Sequence, residues 1–420
     1  MKPMSRRAST VAAVLALSLL LVGLTLANLR FARVSPGGND YLSRWVSARA
    51  WVVKGLSPYD PQVSLEGQLM IYGRPANLAK GEDLAQFAYP LHSMIFFVPF
   101  ALLPYTEARA AWMTLLELAL PILVLTGIRL ADWTPRPWRV AVLMLFSLFW
   151  YHGVRSIIVG QFAVIDAVLI IGALLAMHRR TDILAGSLLA LATTKPQMPI
   201  LIYPFVLAWA AYARRWKFVV STIVGTLLLL GVSLILIPTW PVQWIRQLGP
   251  YTEYATGGPP VWIFAGYVPQ ASDWIYWILS LAFLGYLVWE WFRSLGKSDE
   301  WFQWTAALTI VITNLIAFRT ATTNYVVMLP ALILVLAALE EKWGKAGRWA
   351  GAATLLILGV GLWVLFLATV VGNQENRLMY FPLPVMTLIG LLTIRRGKTR
   401  SEATGGPELV GAATDRARGE

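Results

Sequence analysis

The sequence predicts an all-α protein that crosses a membrane many times, and three observations support this fold class. Hydrophobic residues make up 57% of the 420 residues and charged residues only 14%, which is too little polar surface for a soluble protein. Apolar runs long enough to cross a bilayer recur along the whole chain. Most Lys and Arg residues lie in short segments between those runs, as in cytoplasmic loops of membrane proteins.

The apolar runs predict a bundle of about twelve transmembrane helices, since roughly 17 to 25 residues cross a bilayer. The first run follows a basic N-terminal region and is long for the apolar part of a signal peptide, so we interpret it as a signal anchor. A cleaved signal peptide is the alternative, because "TLA" before Asn28 resembles a cleavage site. The candidate spans are residues 8–29, 108–130, 138–158, 161–178, 182–196, 198–213, 218–237, 273–292, 301–317, 325–340, 349–371 and 381–394.

An additional apolar run, "YPLHSMIFFVPFALLP" at Tyr89–Pro104, decides the topology. If it spanned the membrane, basic connectors such as "ARRWK" and "RSLGK" would face outward. If it is a half-membrane or surface helix in the first external loop, those connectors lie in the cytoplasm, as the positive-inside rule requires. We therefore expect an integral protein of the cytoplasmic membrane with both termini inside and the irregular, Gly- and Pro-rich segments outside.

This topology divides the chain into three regions. Residues 1–237 contain the first span, the first external loop (30–107) and spans two to seven. Residues 238–394 contain a second external loop (238–272) and variable C-terminal spans. Residues 395–420 are rich in Gly, Ala and charge, which predicts a disordered cytoplasmic tail.

Asp40 lies after the flexible "PGG" at the start of an amphipathic segment. The spacing predicts that Asp40 caps a helix beginning at Tyr41 and pairs with Arg44 four residues on. Polar residues (Asp40, Ser43, Arg44, Ser47, Lys54) form one stripe and apolar residues (Leu42, Trp45, Val46, Val52, Val53) the other, as in a helix lying in the membrane interface. The functional alternative is a general base that takes a proton from an acceptor hydroxyl.

Five basic residues do not follow the positive-inside rule, because they lie at the external ends of the predicted spans. They are Arg155, Lys195, Arg246, Arg319 and Arg377. Each one singly could extend to lipid phosphate. Several on one side favour a bound phosphate, to which Arg offers a fork of donors and Lys a point charge.

Three further side chains have both a structural and a functional interpretation. Gln161 follows Gly160 between two apolar runs and either caps a tight turn or contacts substrate. Asp166, one turn later, could pair with Arg155 or contact substrate. Trp262 belongs to the aromatic residues of loop 238–272, which form an interfacial belt or a lid over an amphipathic substrate.

Several function classes are excluded or disfavoured by what the sequence lacks. Without cysteine there is no disulfide, thiolate nucleophile or iron–sulfur site, and three scattered histidines leave little for a metal centre. The chain contains no Walker motif, no HExxH and no DxD. The distribution of its basic residues disfavours nucleic-acid binding. An outward-facing enzyme would therefore need an activated substrate such as a lipid phosphate ester.

Four stretches, in this order, resemble the C-type (GT-C) membrane glycosyltransferases, most closely glycosyltransferase family 87, the polyprenyl-phosphate-mannose-dependent mannosyltransferases and their relatives. They are "NDYLSRWVSARAWVVKGLSPYD", "FAYPLHSMIFFVPFALLP", "GQFAVIDAVLIIGALLAMHRR" and "LAGSLLALATTKPQMPILIYPF". The family's "YPP" is "YPL" here, and the second half of the chain matches only in hydropathy.

The resemblance implies a GT-C-like bundle and a catalytic aspartate in the first external loop. Asp40 occupies that position, with Asp60 as its nearest rival. It further implies transfer of mannose or another sugar from a polyprenyl monophosphate to a hydroxyl of a lipid-linked or glycan acceptor, without a required cofactor or metal. We expect the carrier phosphate to contact Lys195, Arg319, Arg155 and Arg377. The expected substrate contacts are Arg44, Tyr59, Asp60, Tyr89, Gln161 and Trp262.

Three alternatives to this enzyme stay open. A transporter or flippase of an anionic lipid-linked sugar would use the cations to line a path, with Asp40 merely capping a helix. It would favour charges near the bilayer midplane and an internal repeat. A ligase or polymerase would take a diphosphate-linked glycan, and a structural membrane protein would carry no site.

Overall fold

The computed structural model of the protein describes residues 6–404 except 36, 255–256, 318–319 and 373. The described residues form helices and connecting loops, with no β-strand among them. This confirms the all-α class predicted from composition and hydropathy. A single isolated bridge between Val371 and Gln374 is the one β-type pairing in the described part of the chain.

The first half of the chain contains ten α-helices, most of them coinciding with apolar runs. They are α1 (Arg6–Val34), α2 (Asn39–Lys54), α3 (Pro61–Tyr72), α4 (Tyr105–Leu130), α5 (Pro137–Phe149), α6 (Tyr151–Val159), α7 (Ala163–His178), α8 (Asp182–Leu191), α9 (Ile202–Tyr212) and α10 (Trp216–Leu236).

The second half begins with amphipathic and short helices in the predicted second external loop and continues with longer apolar ones. They are α11 (Trp240–Tyr254), α12 (Pro260–Ala265), α13 (Ser272–Ser294), α14 (Asp299–Ile316), α15 (Leu329–Leu356), α16 (Leu362–Thr369) and α17 (Pro382–Thr404). Helix α17 continues ten residues past 394, the last residue before the predicted tail, and residues 405–420 lie outside the described residues.

The predicted count of twelve spans is not confirmed. Six helical segments of the described chain are long and apolar enough to cross a membrane, or seven if α5 and α6, which meet at an angle of 50°, form one bent span. Helices α7, α8 and α9 are apolar but contain only 16, 10 and 11 residues. At 1.5 Å per residue the longest of them reaches about 24 Å, less than a hydrocarbon core of about 30 Å.

Helix α15 contains a chain reversal at Gly344, whose backbone angles are not helical (φ 53°, ψ −118°). A Cβ on Gly347 would lie 1.8 Å from the carbonyl oxygen of Leu339, and one on Gly351 would lie 3.0 Å from the Leu336 side chain. Because residues so far apart along a straight helix cannot touch, residues 329–343 and 345–356 are two antiparallel arms. We call this segment the α15 hairpin.

The first loop differs from the prediction of a helix on the membrane surface. Most of α2 is buried, including Ser43, Arg44 and Ser47 of the predicted polar stripe, because α3, α4 and the following loop pack around it. The run at Tyr89–Pro104 does not form a helix long enough to cross the membrane; it forms short 3-10 helices at Leu91–Phe96 and Val98–Phe100.

Helix α4 is central, packing against α1, α5, α7 and the first arm of the α15 hairpin. Its contact with α1 is polar as well as apolar, since Asn28 donates hydrogen bonds to Glu117 (2.8 Å) and Thr114 (3.1 Å). A second polar contact joins α13 to α17, where Arg395 pairs with the fully buried Glu290 at 2.6 Å. Such interhelical pairs satisfy polar groups that lipid cannot.

The absence of native cysteine makes the predicted topology directly testable. Helix α4 has 26 residues, which is about 39 Å at 1.5 Å per residue, so the loop before it and the turn after it lie at opposite ends of the bundle. We expect an impermeant maleimide added outside intact cells to label Ala79→Cys but not Arg136→Cys, two exposed positions on either side of α4. Labelling of Arg136→Cys before membrane disruption would contradict the predicted orientation.

Candidate active site

The helix that carries Asp40 begins two residues earlier than predicted. Helix α2 starts at Asn39, and its N-cap is Gly38 in a left-handed conformation (φ 76°). Asp40 is therefore already inside the first turn, where its own side chain cannot cap, and the prediction that it is the N-cap is wrong. Its predicted ion pair with Arg44 is present, with Oδ1 and Nη1 3.6 Å apart.

The Gly37–Gly38 turn is held in place by α4. Tyr105 donates a 2.7 Å hydrogen bond to the Gly37 carbonyl, and Arg109 donates a 2.6 Å bond to the Ser35 carbonyl. A Cβ on Gly38 would lie 2.7 Å from Arg109 Nε. Glycine is therefore required here both by the left-handed backbone and by the close approach of Arg109.

Gln161 joins Asp40 to the buried interior. Its amide nitrogen donates to Asp40 Oδ2 (2.9 Å) and to Thr323 Oγ1 (3.0 Å). Its amide oxygen accepts a hydrogen bond from Lys195 Nζ (2.9 Å). The Gln161 side chain therefore connects α2, the start of α7 and the segment after α14. It does not act as the simple turn cap that was one of its two predicted roles.

Lys195 is almost completely buried, with 1% of its surface exposed. Besides Gln161 it donates to Asn324 Oδ1 at 2.8 Å, and its Nζ lies 5.7 Å from the centre of the Tyr89 ring. These two bonds occupy two of the three donors of an ammonium group. A buried ammonium needs such partners because its desolvation is costly.

Arg44, Tyr89 and Tyr59 form the neighbouring part of the site. Arg44 Nη2 donates to the Tyr89 hydroxyl at 3.0 Å, and Tyr59 donates to the Tyr89 carbonyl at 2.7 Å. Burial raises the pKa of Tyr59, which keeps its hydroxyl protonated as a donor. Burial also acts to raise the pKa of Tyr89, but the positive charges of Arg44 and Lys195 outweigh it and lower that pKa below its ordinary value.

Asp166 lies on the first turn of α7 and is fully buried. Neither of its carboxyl oxygens has a hydrogen-bond partner among the described residues. The predicted partner Arg155 is not beside it; the cation whose charge acts on it is Lys195.

The cluster opens to the surface at Asp40, whose side chain is 35% exposed while that of Arg44 is 11% exposed. Lys195, Gln161, Asn324 and Tyr89 are all buried. A molecule approaching from outside therefore meets the Asp40 carboxylate before it meets the other polar groups.

Asp60, the predicted rival of Asp40, has a different role. It is the N-cap of α3, and its Oδ1 accepts a 2.8 Å hydrogen bond from the backbone nitrogen of Gln62. The capping role that the sequence predicted for Asp40 is thus performed by Asp60, for the next helix of the same loop.

The remaining predicted cations do not join the cluster through any described contact. Arg155 Nε pairs with Glu375 Oε1 at 3.0 Å, and the other oxygen of Glu375 accepts a hydrogen bond from Thr322. Arg246 and Arg377 are exposed. Arg319 lies outside the described residues.

Trp262 lies on the short helix α12 and is 43% exposed. No described contact links it to Asp40 or Lys195, so its substrate contact stays a prediction.

Two residues of the site were missed by sequence reasoning, Thr323 and Asn324. Both lie in a 3-10 helix at Thr322–Met328 and contact Gln161 and Lys195 respectively. The available signal was the polar run "TATTN" between two apolar segments. Polar groups in such a position face the interior of a membrane protein rather than lipid.

The described residues contain no group of three or more His, Asp or Glu side chains placed to hold a metal ion. The expectation that transfer requires no metal stays a prediction.

These features define an integral membrane protein of the polytopic all-helical class with a buried, charged cluster that opens beside one carboxylate. The sequence model of glycosyltransferase family 87 matches residues 87–259. The match confirms the predicted resemblance to glycosyltransferase family 87 within this segment, and the family implies glycosyl transfer. No curated protein and no solved structure matches the chain with significant similarity.

The matched segment contains Tyr89, Gln161 and Lys195 but not Asp40 or Asn324. Asp40 is therefore connected to the family segment by its geometry, through the hydrogen bond from Gln161.

Gly160 positions Gln161, which makes the site sensitive to one methyl group. The backbone of Gly160 is left-handed (φ 71°), and a Cβ added to Gly160 would lie 2.5 Å from the Cβ of Tyr41. We expect Gly160→Ala to lower stability by about 1 to 3 kcal/mol and to reduce glycosyl transfer, because the Gln161 amide is displaced. Thermal unfolding in detergent measures the first effect. Gly231→Ala on α10, where no other atom lies within 4 Å, is the matched control and should leave both properties nearly unchanged.

Proposed function

We propose that the protein transfers a sugar from a polyprenyl monophosphate carrier to a hydroxyl of a lipid-linked or glycan acceptor on the external face of the membrane. The main support is the position of Asp40, an accessible carboxylate on a buried network that ends in the Lys195 ammonium. Mannose or another hexose or pentose is the expected sugar.

In this proposal Asp40 is the general base. The acceptor hydroxyl approaches the exposed side of the carboxylate, gives up its proton and attacks the anomeric carbon. Attack in line with the departing phosphate inverts that carbon. The hydrogen bond from Gln161 and the charge of Arg44 hold the carboxylate in one orientation, which favours catalysis because little reorganisation is then needed.

Lys195 is the preferred phosphate-binding residue. The phosphate that leaves gains negative charge as the bond to the sugar breaks, and a fixed cation in a buried setting stabilises that charge. Lys195 keeps one donor beyond those used by Gln161 and Asn324. Arg155 is a weaker candidate because Glu375 neutralises it.

An apolar cavity next to this site suits the carrier's hydrocarbon chain. It has a volume of about 640 Å³ and lies between the first-loop 3-10 helices, α8 and α10. Leu191, at one side of the cavity, is followed by the 3-10 turn that ends at Lys195, and His92 of its wall lies 3.4 Å from Thr193 in that turn. A chain in the cavity would bring its phosphate toward Lys195.

The role of Asp40 is tested by Asp40→Asn, which keeps shape but removes the base. With radiolabelled polyprenyl-phosphate-mannose and a mixture of acceptors, we expect reconstituted Asp40→Asn protein to turn over about 10² to 10⁴ times more slowly than wild type.

Glu66→Gln is the matched control, because it removes a carboxylate charge from the same loop but at an exposed pair with Lys54. Turnover unaffected by Asp40→Asn would remove Asp40 from the mechanism. A wild-type protein inactive with every monophosphate donor would favour transport or ligation instead.

The two cations are distinguished by comparing Lys195→Gln with Arg155→Gln. If Lys195 binds the carrier phosphate, its replacement should lower kcat/KM for the donor by about 10² or more, whereas loss of the neutralised Arg155 should have a much smaller effect. Lys195→Arg serves as a second variant that keeps the charge. Steady-state kinetics at varied donor concentration measures the difference, and equal losses for Arg155 and Lys195 would refute this ranking.

A further inference from the structure

A second groove lies at the other end of the bundle from the candidate active site. It has a volume of about 380 Å³ and lies between the segment joining α4 to α5, the start of α5 and the α15 hairpin. The wall is largely apolar and aromatic, formed by Trp133, Trp138, Leu143, Leu336, Trp349 and Leu355. We call it the hairpin groove.

The position of the groove follows from the first arm of the α15 hairpin. This arm starts at Leu329, five residues after the Lys195 partner Asn324, and runs to the reversal at Gly344. Fifteen residues of α-helix cover about 22 Å. The hairpin groove is therefore separate from the site around Asp40, and the predicted topology places it on the cytoplasmic side.

The rim of the hairpin groove carries an excess of positive charge. Arg139, Lys345 and Arg348 line it, against a single carboxylate, Glu340. Two of these cations share the Glu340 carboxylate: its Oε1 lies 2.7 Å from Arg139 Nη1 and 3.7 Å from Arg348 Nη1. Its other oxygen accepts a 3.2 Å hydrogen bond from Trp133. Lys345 is exposed and has no described partner. Two positive charges remain without a neutralising carboxylate on this rim.

The surrounding tryptophans indicate the depth of the groove in the membrane. Trp138 and Trp349 are 58% and 69% exposed, although burial of such large apolar rings would be favourable in water. Exposed Trp rings beside Lys and Arg are typical of the boundary between head groups and hydrocarbon. An occupant must therefore combine a negative group at the rim with an apolar chain along the wall.

We propose that the hairpin groove binds one anionic phospholipid of the surrounding membrane. Its phosphate lies between Lys345 and Arg348, and an acyl chain runs along Leu143, Leu336 and Leu355. Basic pockets between transmembrane helices bind lipid head groups in this way. Glu340 is closer to Arg139 (2.7 Å) than to Arg348 (3.7 Å), so Arg139 neutralises most of its charge and Arg348 keeps donors for the phosphate. The lipid would connect α5 to both arms of the hairpin.

The proposal is tested on the purified full chain in detergent by native mass spectrometry. Dioleoyl phosphatidylglycerol or dioleoyl phosphatidylcholine is added at equal concentration. We expect wild type to retain one phosphatidylglycerol about ten times more strongly than phosphatidylcholine, and Lys345→Gln/Arg348→Gln to lose that preference. Arg179→Gln/Lys217→Gln is the control: it removes two exposed cations at the same end of the bundle that do not line the groove, and should retain the preference.

A second variant tests the apolar wall without changing charge. Ala352→Trp fills the groove and should lower retention of both lipids, while a single Lys345→Gln should give a partial loss of preference and covers the case in which the double variant fails to fold. An undiminished preference in Lys345→Gln/Arg348→Gln would overturn the proposal. Displacement of phosphatidylglycerol by geranylgeranyl phosphate at a tenfold lower concentration would also overturn it, because the groove would then be a carrier site.

Discussion

The burial of the Lys195 ammonium is the constraint on which the candidate site depends. A cation that is 1% exposed is stable only if fixed dipoles or opposite charges replace its water. Here two amide oxygens do so, from Gln161 and Asn324. Because these groups come from α7 and from the segment after α14, the need to solvate one lysine fixes the relative position of distant parts of the chain.

The same constraint explains how a surface carboxylate is oriented. Once its oxygen accepts from Lys195, the Gln161 amide nitrogen must point the other way, toward Thr323 and Asp40. The orientation of the Gln161 amide therefore couples the position of the buried Lys195 ammonium to that of the accessible Asp40 carboxylate. A network in which each member is satisfied in only one arrangement is rigid. Such rigidity is what the proposed transfer requires, because a preorganised site need not rearrange during the reaction.

Local sequence patterns predicted the parts of this site that depend on neighbouring residues. The Asp40 and Arg44 pair follows from helical spacing, and the run at Tyr89–Pro104 was correctly kept out of the spans on charge grounds. The contacts of Gln161 with Asp40 and Thr323 join residues 121 and 162 positions apart, and no local rule reaches that far. Hydropathy likewise located the apolar helices and separated spans 325–340 and 349–371, between which α15 reverses at Gly344. It did not predict that α7 to α9 are too short to cross the membrane as regular helices.

The contrast between Asp40 and Asp60 shows why a helix cap and the proposed general base are better placed on different residues. A capping carboxylate is held by backbone N–H groups at the mouth of its helix, as Asp60 is by Gln62, and its negative charge is partly neutralised there. Asp40 lies two positions after the cap, which is Gly38, a residue with no side chain. Its oxygens are consequently directed to a side-chain amide and a guanidinium, while a third of the group stays exposed. The glycine pair thus does more than give flexibility: Gly38 takes the capping position, which leaves one side of the Asp40 carboxylate open, as the proposed general base requires.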